Sequence, residues 1–413
     1  MKILLYTLIF PPDTCSNAFI FSDMTTEFLK SGDEVTVITT TPHYDEERAE
    51  GKKKYLEKGK SKWYRKSNYM GAFVYHIDVV PRKGNIKDRL DTFYRFHHYC
   101  TKLLTIEKIE ADVVICQTPP MTIGIDCHRI AKRLHASSVM ILQDLWLDAM
   151  IDAGRIKGIM AYLLRQIEIY EYKKMDLLTT IDEAMGKRIK DISGIQPFVI
   201  PNFVDCSIYS PRVPNADDYD KYNIDRENFV ISYVGNIGEA QDLEPLIQYA
   251  KHNKKARIII AGNGSREGYY KKRVRDEDLD SVSFIGYISR DEARIVNSVS
   301  DVCMIMLAKH VAATSFPSKI YSLMAMGKPI VISCAENNEA GQFVEQHEIG
   351  WRCDVGNYER INALLDLVGA NEKQRRIRGE NGRSLVLREY SPGKIVKRYK
   401  DIISEMRDHP CIK

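Results

Sequence analysis

The sequence predicts an α/β protein of two consecutive domains, because strand and helix patterns alternate along nearly all of its 413 residues. This length is more typical of two domains than of one. The alternation is interrupted by a polar stretch, residues 209–226, that holds two prolines and has no periodicity. We interpret that stretch as a linker. We therefore predict a Rossmann-like domain at 1–208, a second at 209–390, and a C-terminal helix at 391–413.

The first half of the chain has the order of elements that is typical of a parallel sheet covered by helices. A long polar insertion separates its second and third strands. Strands are predicted at residues 2–8, 34–40, 72–80, 111–116, 138–142, 175–181 and 197–200. Helices are predicted at 18–30, 86–108, 121–134 and 158–174, and a further helix is capped by Asp182.

The second half repeats the alternation. Strands are predicted at residues 229–234, 256–261, 282–285, 302–306, 329–332 and 350–353, with helices between them. One helix begins with the capping box Ser289-Arg-Asp-Glu292, and the last begins at Ser391-Pro392. Ligands of such sheets bind at the carboxyl ends of the strands, so the loops there are the candidate sites.

Composition narrows the class of protein. The net charge of +4 gives no basic field that would indicate nucleic acid as a partner. The nine cysteines lack zinc-type CxxC spacing, which favours reduced thiols and a cytoplasmic location. The first ten residues run into Pro11-Pro12 without a cleavage site, so we interpret them as a strand and not as a signal peptide.

The segment from Ser315 to Ile332 is the most informative of the chain. Pro317 and Ser318 indicate a helix start, with Ser318 as the cap and Lys319 in the first turn. A helix N-terminus offers free backbone N–H groups and partial positive charge. Together with the lysine, this end of the helix is suited to a diphosphate.

Two glycine-containing turns follow the first and second strands of the second half. Gly235-Asn236-Ile237-Gly238 and Ala261-Gly262-Asn263-Gly264 both stand between a strand and a helix. Glycines in such turns let the backbone approach a ligand closely. An ordinary strand-to-helix turn is the alternative interpretation of each.

These segments resemble the GT-B glycosyltransferases of family four, the bacterial lipopolysaccharide and capsule type, and within it the WbuB-like fucosaminyltransferases. "YVGNIGEAQDLEPL" is similar to the family's "YxGNxGxAQxLxxL", and the segment from Pro317 is similar to its "PSK…Y-x-x-x-A-x-GKP". Four shorter matches occur in the expected order: Phe10–Asp13 with "FPPe", Gln143–Asp148 with "rDLWPe", Pro201–Asp205 with "iPNgvD", and Ala261–Gly264 with "aGxG".

The resemblance implies a retaining transfer from a nucleotide-diphosphate sugar to a lipid-linked saccharide acceptor, in cell-surface polysaccharide synthesis. It also implies that the two domains face a cleft and that the last helix packs back on the first domain. The second domain would bind the donor and the first the acceptor. The departing phosphate would take the acceptor proton, and no side-chain nucleophile is assigned.

The resemblance also assigns roles to residues. Lys319, Glu339 and Asp144 are the expected catalytic set, although Glu339 could instead be a solvated helix-start glutamate. The expected acceptor side is Asp13, Asp144 and Trp146, with Leu147 where the family has proline. The expected donor-binding residues are Gly235, Asn236, Gly238, Asn263, Gly264, Pro317, Ser318, Lys319 and Ser322.

Two departures from the family pattern bear on activity. The family often carries a pair of glutamates where this chain has Thr314 and Ser322, and the second of that pair normally holds the ribose hydroxyls. The basic pair that often follows the glycine turn is also missing, because residues 239–244 contain no lysine or arginine. Lys319 would therefore carry more of the phosphate charge.

No metal or other cofactor is expected, because no DxD carboxylate pair follows a strand in a metal-binding setting. The basic insertion 48–66, with nine Lys/Arg against two Glu and with Tyr55, Trp63 and Tyr64, predicts docking on anionic lipid at the inner membrane face. A solvated loop is the alternative there. Two other functions stay open, a GT-B sugar-nucleotide epimerase and a non-catalytic partner subunit.

Overall fold

The computed structural model describes residues 1–13, 16–43, 51–80, 86–152, 154–311 and 316–408. It divides into two compact units, Met1–Asn202 with Pro392–Lys413, and Phe203–Ser391. The second unit therefore begins before the predicted linker. Val204 packs in its core, and Tyr222 and Ile224 are buried in a second cluster of the same unit. The linker interpretation of residues 209–226 is thus wrong, because apolar side chains anchor that stretch.

The described part of the first unit contains a nine-stranded sheet in the order β3-β4-β5-β2-β1-β6-β7-β8-β9. Its strands are β1 Lys2–Tyr6, β2 Glu34–Thr40, β3 Glu57–Lys58, β4 Tyr64–Tyr69, β5 Ala72–Ile77, β6 Val113–Gln117, β7 Ser137–Leu142, β8 Leu177–Thr180 and β9 Phe198–Val199. The central strands pair in parallel and are almost wholly buried, as expected of strands covered on both faces.

Helices connect these strands. They are α1 Ser16–Lys30, α2 Ile86–Ile106, α3 Ile123–Leu134, α4 Trp146–Asp152, α5 Gly158–Lys174 and α6 Glu183–Ser193. The predicted cap of α6 is confirmed, since Asp182 Oδ1 accepts a hydrogen bond of 2.7 Å from Met185 N. Helix α4 was not predicted, because seven residues are too short for a periodic pattern to be visible.

The polar insertion between β2 and β5 is not a loop throughout. It contains β3 and β4, and β4 runs antiparallel to both neighbours. Tyr64 is only 1% exposed, and Trp63 stacks on Tyr99 with ring centroids 4.6 Å apart. Burial raises the pKa of Tyr64 to about 12. The prediction that Trp63 and Tyr64 lie at a membrane interface is therefore wrong, because both rings pack inside this unit.

The second unit contains a six-stranded, wholly parallel sheet in the order β12-β11-β10-β13-β14-β15. Its strands are β10 Val230–Val234, β11 Arg257–Ala261, β12 Val282–Gly286, β13 Val302–Met306, β14 Ile330–Cys334 and β15 Gly350–Asp354. Its helices are α7 Ala216–Lys221, α8 Glu244–His252, α9 Glu267–Asp276, α10 Arg290–Val299, α11 Lys319–Ala325, α12 Glu339–Gln346, α13 Tyr358–Ala370 and α14 Glu372–Glu389. The predicted capping box of α10 is confirmed, with both reciprocal bonds between Ser289 and Glu292.

The last helix, α15 Pro392–Asp408, packs on the first unit. Lys400 Nζ lies 2.7 Å from Asp33 Oδ2, and Arg398 donates to the carbonyl of Val199. Chain order reverses beside β1 in the first sheet and beside β10 in the second. Ligand sites of doubly wound sheets form where the order reverses, at the carboxyl ends of the strands.

Candidate functional site

The turns after β10 and β11 hold each other through backbone contacts. Gly235 N donates to Ala261 O at 2.9 Å, and Ile237 N donates to Asn263 O at 2.8 Å. Gly262 has φ +132°, and a Cβ built there would lie 1.8 Å from Gly235 O. Only glycine fits at that crossing, so the two predicted turns form one backbone platform.

The first turn is held by hydrogen bonds to the side chain of Gln241, which follows it. Asn236 Nδ2 donates to Gln241 Oε1 at 3.1 Å, and Gly238 N donates to the same oxygen at 3.2 Å. A Cβ at Gly264 would lie 2.3 Å from Ile237 O. Gln241 thus fixes two predicted donor residues, and although it stands within the quoted motif it was not predicted as a site residue.

Lys319 lies against this platform. Its Nζ donates to Val234 O at 3.1 Å and stands 4.4 Å from the centroid of the Tyr233 ring. A Cβ on Gly235 would come within 2.4 Å of the same Nζ. Burial lowers the pKa of Lys319 to about 8. Among the described residues no carboxylate forms an ion pair with this ammonium.

The start of α11 differs from its prediction. Ser318 has helical φ and ψ of −59° and −20° and makes no side-chain cap bond, so the helix begins without the predicted serine cap. Pro317 O accepts a backbone bond of the first turn. Ser322 Oγ donates to Lys319 O at 2.9 Å, so this hydroxyl is turned back on its own helix. Thr314 lies outside the described residues.

Glu339 is the first residue of α12, after β14. The cap of this helix is Asn338, whose Oδ1 accepts from Gly341 N at 3.0 Å. Strand β14 lies two positions from β10 in the sheet. Glu339 thus follows the carboxyl end of a strand in the same sheet as the strands before the two turns of the platform.

Arg266 is a basic residue that the sequence reasoning missed. Its backbone N donates to Ile237 O at 2.9 Å, and its guanidinium lies 5.1 Å from the ring centroids of Tyr269 and Tyr270. Residues 239–244 contain no basic side chain. Arg266, which follows the turn after β11, instead supplies a basic residue whose backbone bonds to the platform. Its position two residues after Gly264 was the available signal.

Asp13, predicted on the acceptor side, is buried in the first unit. Its Oδ2 accepts from His43 N at 3.0 Å and lies 3.6 Å from His43 Nδ1. His43 follows β2, the neighbour of β1 in the sheet. This histidine was missed because it is separated from Asp13 by thirty residues of chain.

Asp144 and Trp146 follow β7 and line a cavity of about 10 Å³, enough for about one water molecule. Burial raises the pKa of Asp144. Trp146 keeps 38% of its surface exposed, while Leu147 beside it is fully buried. The structure therefore brings the two predicted residues together. It adds side chains of α5 that the sequence did not indicate, namely Glu168, Glu171 and Tyr172.

Glu171 connects α5 to the start of α3. Its Oε1 accepts from the backbone of Gly124 and, at 3.1 Å, of Ile125. A Cβ at Gly124 would lie 2.6 Å from Glu171 Cγ, so a larger residue there would have to displace the Glu171 side chain. Burial raises the pKa of Glu171 to about 8, although both N–H groups oppose the rise. Its Oε2 has no hydrogen-bond partner among the described residues.

Replacing Glu171 with glutamine is expected to remove the loss of stability that this carboxyl causes as pH rises. A carboxyl whose pKa rises from 4.5 to about 8 on folding binds more protons in the folded state between those values. Its contribution to stability is complete below the unfolded pKa and is lost as pH rises through about 8. The thermal midpoint of Glu171→Gln should therefore gain on wild type as pH increases.

Thermal melts at a series of pH values test this, with Glu57→Gln on the exposed strand β3 as the control. The control should follow wild type at every pH. Parallel curves for Glu171→Gln and wild type would show that this carboxyl is already ionised at neutral pH.

Comparison with solved structures defines the class of fold. The chain is similar to sucrose-phosphate synthase from Thermosynechococcus elongatus, with a TM-score of 0.73, 13% identity, and coverage of 99% of this chain and 100% of that one. It is also similar to HepE from Anabaena in complex with UDP, with a TM-score of 0.70, 13% identity, and coverage of 98% and 100%. The protein has the GT-B fold, as predicted.

Sequence comparisons give the activity class. Residues 215–385 match the family model "Glycosyl transferases group 1". The chain is 25% identical to the colanic acid biosynthesis glycosyl transferase WcaI of Escherichia coli K12 over 358 residues, which is 84% of this chain and 86% of WcaI. It is 25% identical to the glycosyltransferase WbjE of Pseudomonas aeruginosa over 273 residues, 64% and 68% of the two chains. The protein is a glycosyltransferase.

The described residues contain no candidate metal centre and no candidate membrane-spanning helix. No group of three or more His, Cys, Asp or Glu is arranged to hold a metal ion within the parts of the chain that the structure covers. In the same parts, no helix combines the length and the apolar character that crossing a bilayer requires.

Proposed function

We propose that the second unit binds a nucleotide-diphosphate sugar and that the sugar passes to a saccharide acceptor bound by the first unit. The observation that carries this proposal is Lys319, an ammonium without a carboxylate partner among the described residues, held on the glycine platform where the strand order reverses. A similar structure supports it, because HepE was solved with UDP and with UDP-glucose.

The donor chemistry follows from charge. Negative charge develops on the leaving diphosphate during transfer, and preorganised donors and cations stabilise it. Lys319, the backbone of Gly235–Gly238 and the neighbouring Arg266 are the groups available for this. Asn263, Gly264, Pro317 and Ser318 would shape the rest of the donor pocket. Glu339 would accept hydrogen bonds from hydroxyls of the donor sugar.

The ribose contact has to differ from that of the family. Ser322 stands where the family has a glutamate, and its hydroxyl donates within α11. A shorter, neutral side chain cannot hold two ribose hydroxyls as a carboxylate does. We infer that affinity for the donor depends more on the diphosphate, and therefore on Lys319.

The acceptor side has the character of a saccharide site. Asp144 could accept a hydrogen bond from an acceptor hydroxyl, while the exposed part of Trp146 offers an aromatic face. The buried Asp13 supports the edge of this unit through His43. The proposed reaction retains the anomeric configuration, with the departing phosphate receiving the acceptor proton.

The similarity to WcaI, a glycosyl transferase of colanic acid biosynthesis, supports a place in polysaccharide biosynthesis. We propose a lipid-linked acceptor in O-antigen or capsule synthesis, with fucosaminyl-type sugars as one donor class to test. The donor sugar and the nucleotide base are to be identified by experiment, because the residues of the site do not distinguish them.

Thermal-shift measurements with UDP, GDP, ADP, CDP and dTDP test the donor site first. We expect one diphosphate to raise the melting temperature in a saturable way, since a ligand that binds only the folded state stabilises it. The matching sugar nucleotides, with and without lipid extract, then test transfer. No shift with any diphosphate would reject the proposed donor site.

The same assay separates the two other functions. A non-catalytic subunit, which the missing glutamate pair favours, would bind the diphosphate sugar and release no diphosphate with any acceptor. An epimerase would convert the donor sugar without an acceptor. Transfer of label into the lipid fraction excludes both.

Turnover is expected to persist in excess EDTA. The charges available for the diphosphate belong to side chains and backbone, and the described residues offer no carboxylate or histidine cluster for a divalent ion. Diphosphate release is measured with EDTA and with added Mg²⁺ or Mn²⁺. Loss of turnover in EDTA that either metal restores would contradict this expectation.

A further inference from the structure

Helix α5, Gly158–Lys174, exposes an unusual amount of apolar surface. Single exposed apolar residues are normal in proteins, but contiguous ones indicate a contact surface. The exposed fractions along this helix are Ile159 73%, Met160 55%, Tyr162 60%, Leu163 50%, Ile167 39% and Tyr170 53%. Residues 159, 163, 167 and 170 follow the spacing of one helix face.

The other face of the helix is already explained by packing. Glu168, Glu171 and Tyr172 are buried and line the cavity of Asp144. Arg165 pairs with Asp148 and Glu168 on the same side. The apolar stripe therefore points away from the contacts that hold α5 on its unit.

The exposed charged residues between 154 and 174 are all positive, and the exposed Asp152 and Asp176 lie just outside this segment. Arg155, Lys157 and Lys173 are exposed, and Lys174 Nζ lies 5.2 Å from the centroid of the Tyr170 ring. The acidic residues between 154 and 174 are Glu168 and Glu171, and both are buried. Apolar side chains flanked by cations at both ends suit the boundary between acyl chains and anionic headgroups.

We propose that α5 docks this protein on an anionic lipid bilayer, with its apolar stripe in the interface and its flanking cations on the headgroups. Charge favours this occupant, because the exposed charged residues from 154 to 174 are cations and are complementary to a surface that is negative throughout. The docking does not depend on the proposed donor or acceptor.

This surface takes the place of the insertion 48–66 as the principal lipid contact. In the described part of that insertion, Trp63 and Tyr64 pack inward. Lys60 and Lys66 both pair with Glu107, which reduces their net charge toward a membrane. Of the three aromatic residues named for the insertion, Tyr55 has an exposed ring, whereas α5 exposes a stripe of apolar side chains.

Vesicle flotation of the full chain tests the proposal, with phosphatidylcholine vesicles that contain or lack phosphatidylglycerol. The apolar variant is Ile159→Gln, Leu163→Gln and Ile167→Gln, and the charge variant is Arg155→Gln, Lys157→Gln and Lys173→Gln. The matched control removes three exposed lysines of the insertion, Lys54→Gln, Lys58→Gln and Lys62→Gln.

We expect wild type to float with the anionic vesicles only. The apolar variant should lose about tenfold or more of this partitioning, since each buried side chain contributes to transfer. The charge variant should lose several-fold at low salt and less at raised salt, because salt screens the attraction that the three cations supply in wild type. The control should stay within about twofold of wild type, although its charge change equals that of the charge variant.

Three results would overturn the proposal. The first is equal binding by the apolar variant and wild type. The second is an equal loss by the insertion control. The third is a wild-type dimer in solution that the apolar variant abolishes while vesicle binding is absent, because the face would then join two copies of the chain. Unchanged melting temperatures show that the variants are folded.

Discussion

Replacing Lys319 with methionine is expected to weaken nucleoside diphosphate binding roughly ten- to a hundredfold and to raise thermal stability. A hydrogen bond to a charged group contributes about 1.5–3 kcal/mol, which corresponds to that range of affinity. The gain in stability has a separate cause. Burial lowers the pKa of Lys319 to about 8, so the folded protein holds a charged ammonium at neutral pH at a cost. Methionine has similar length and no charge.

Calorimetric titration with the diphosphate found in the screen, together with thermal melts, measures both effects. Lys254→Met, at an exposed lysine of the same unit, is the matched control and should change neither quantity. A Lys319→Met protein that binds diphosphate as wild type does would remove Lys319 from the donor site. A binding loss with lowered stability would indicate instead that the side chain holds the platform together.

Replacing Gly262 with alanine is expected to destabilise the second unit by about 2–4 kcal/mol and to abolish diphosphate binding. The new Cβ would stand 1.8 Å from Gly235 O, and backbone rather than a flexible side chain has to move. Its φ of +132° is in addition unfavourable for any residue with a side chain. Movement of Gly235 would displace the adjacent carbonyl of Val234, which accepts the hydrogen bond from Lys319 Nζ.

Gly268→Ala is the control for this substitution. Gly268 lies within α9, nothing stands within 4 Å of a Cβ built there, and its φ is not in the left-handed range. Alanine at that position should stabilise by up to about 1 kcal/mol through helix propensity. Denaturant unfolding and diphosphate titration compare the two variants. Equal behaviour of both would show that the two turns do not depend on their close crossing.

Local patterns predicted the parts of this structure that are built locally. The strand before Gly235, the cap at Asp182 and the capping box at Ser289 depend on residues a few positions apart. The wholly parallel sheet of the second unit followed from strands that alternate with helices. The fold class could be predicted for the same reason.

Contacts between distant parts of the chain were not predictable in this way. Glu171 binds the backbone at Gly124, 47 residues earlier, and its role is visible only when α5 packs on α3. Tyr64 is buried in a stretch rich in lysine, because the aromatic cluster around Trp63 outweighs the polar composition of its neighbours. Ser318 had the right residue type for a cap, but its backbone is already helical.

The ammonium on the glycine platform has a thermodynamic consequence for the proposed donor site. With a pKa of about 8, Lys319 is without its proton in roughly half of the free molecules at that pH. A bound diphosphate favours the ammonium form, so association near pH 8 would draw up to roughly half a proton per site from solution. The measured heat of binding would then vary with the ionisation enthalpy of the buffer. The affinity would decline toward higher pH, so that the proton behaves as a co-ligand of the nucleotide.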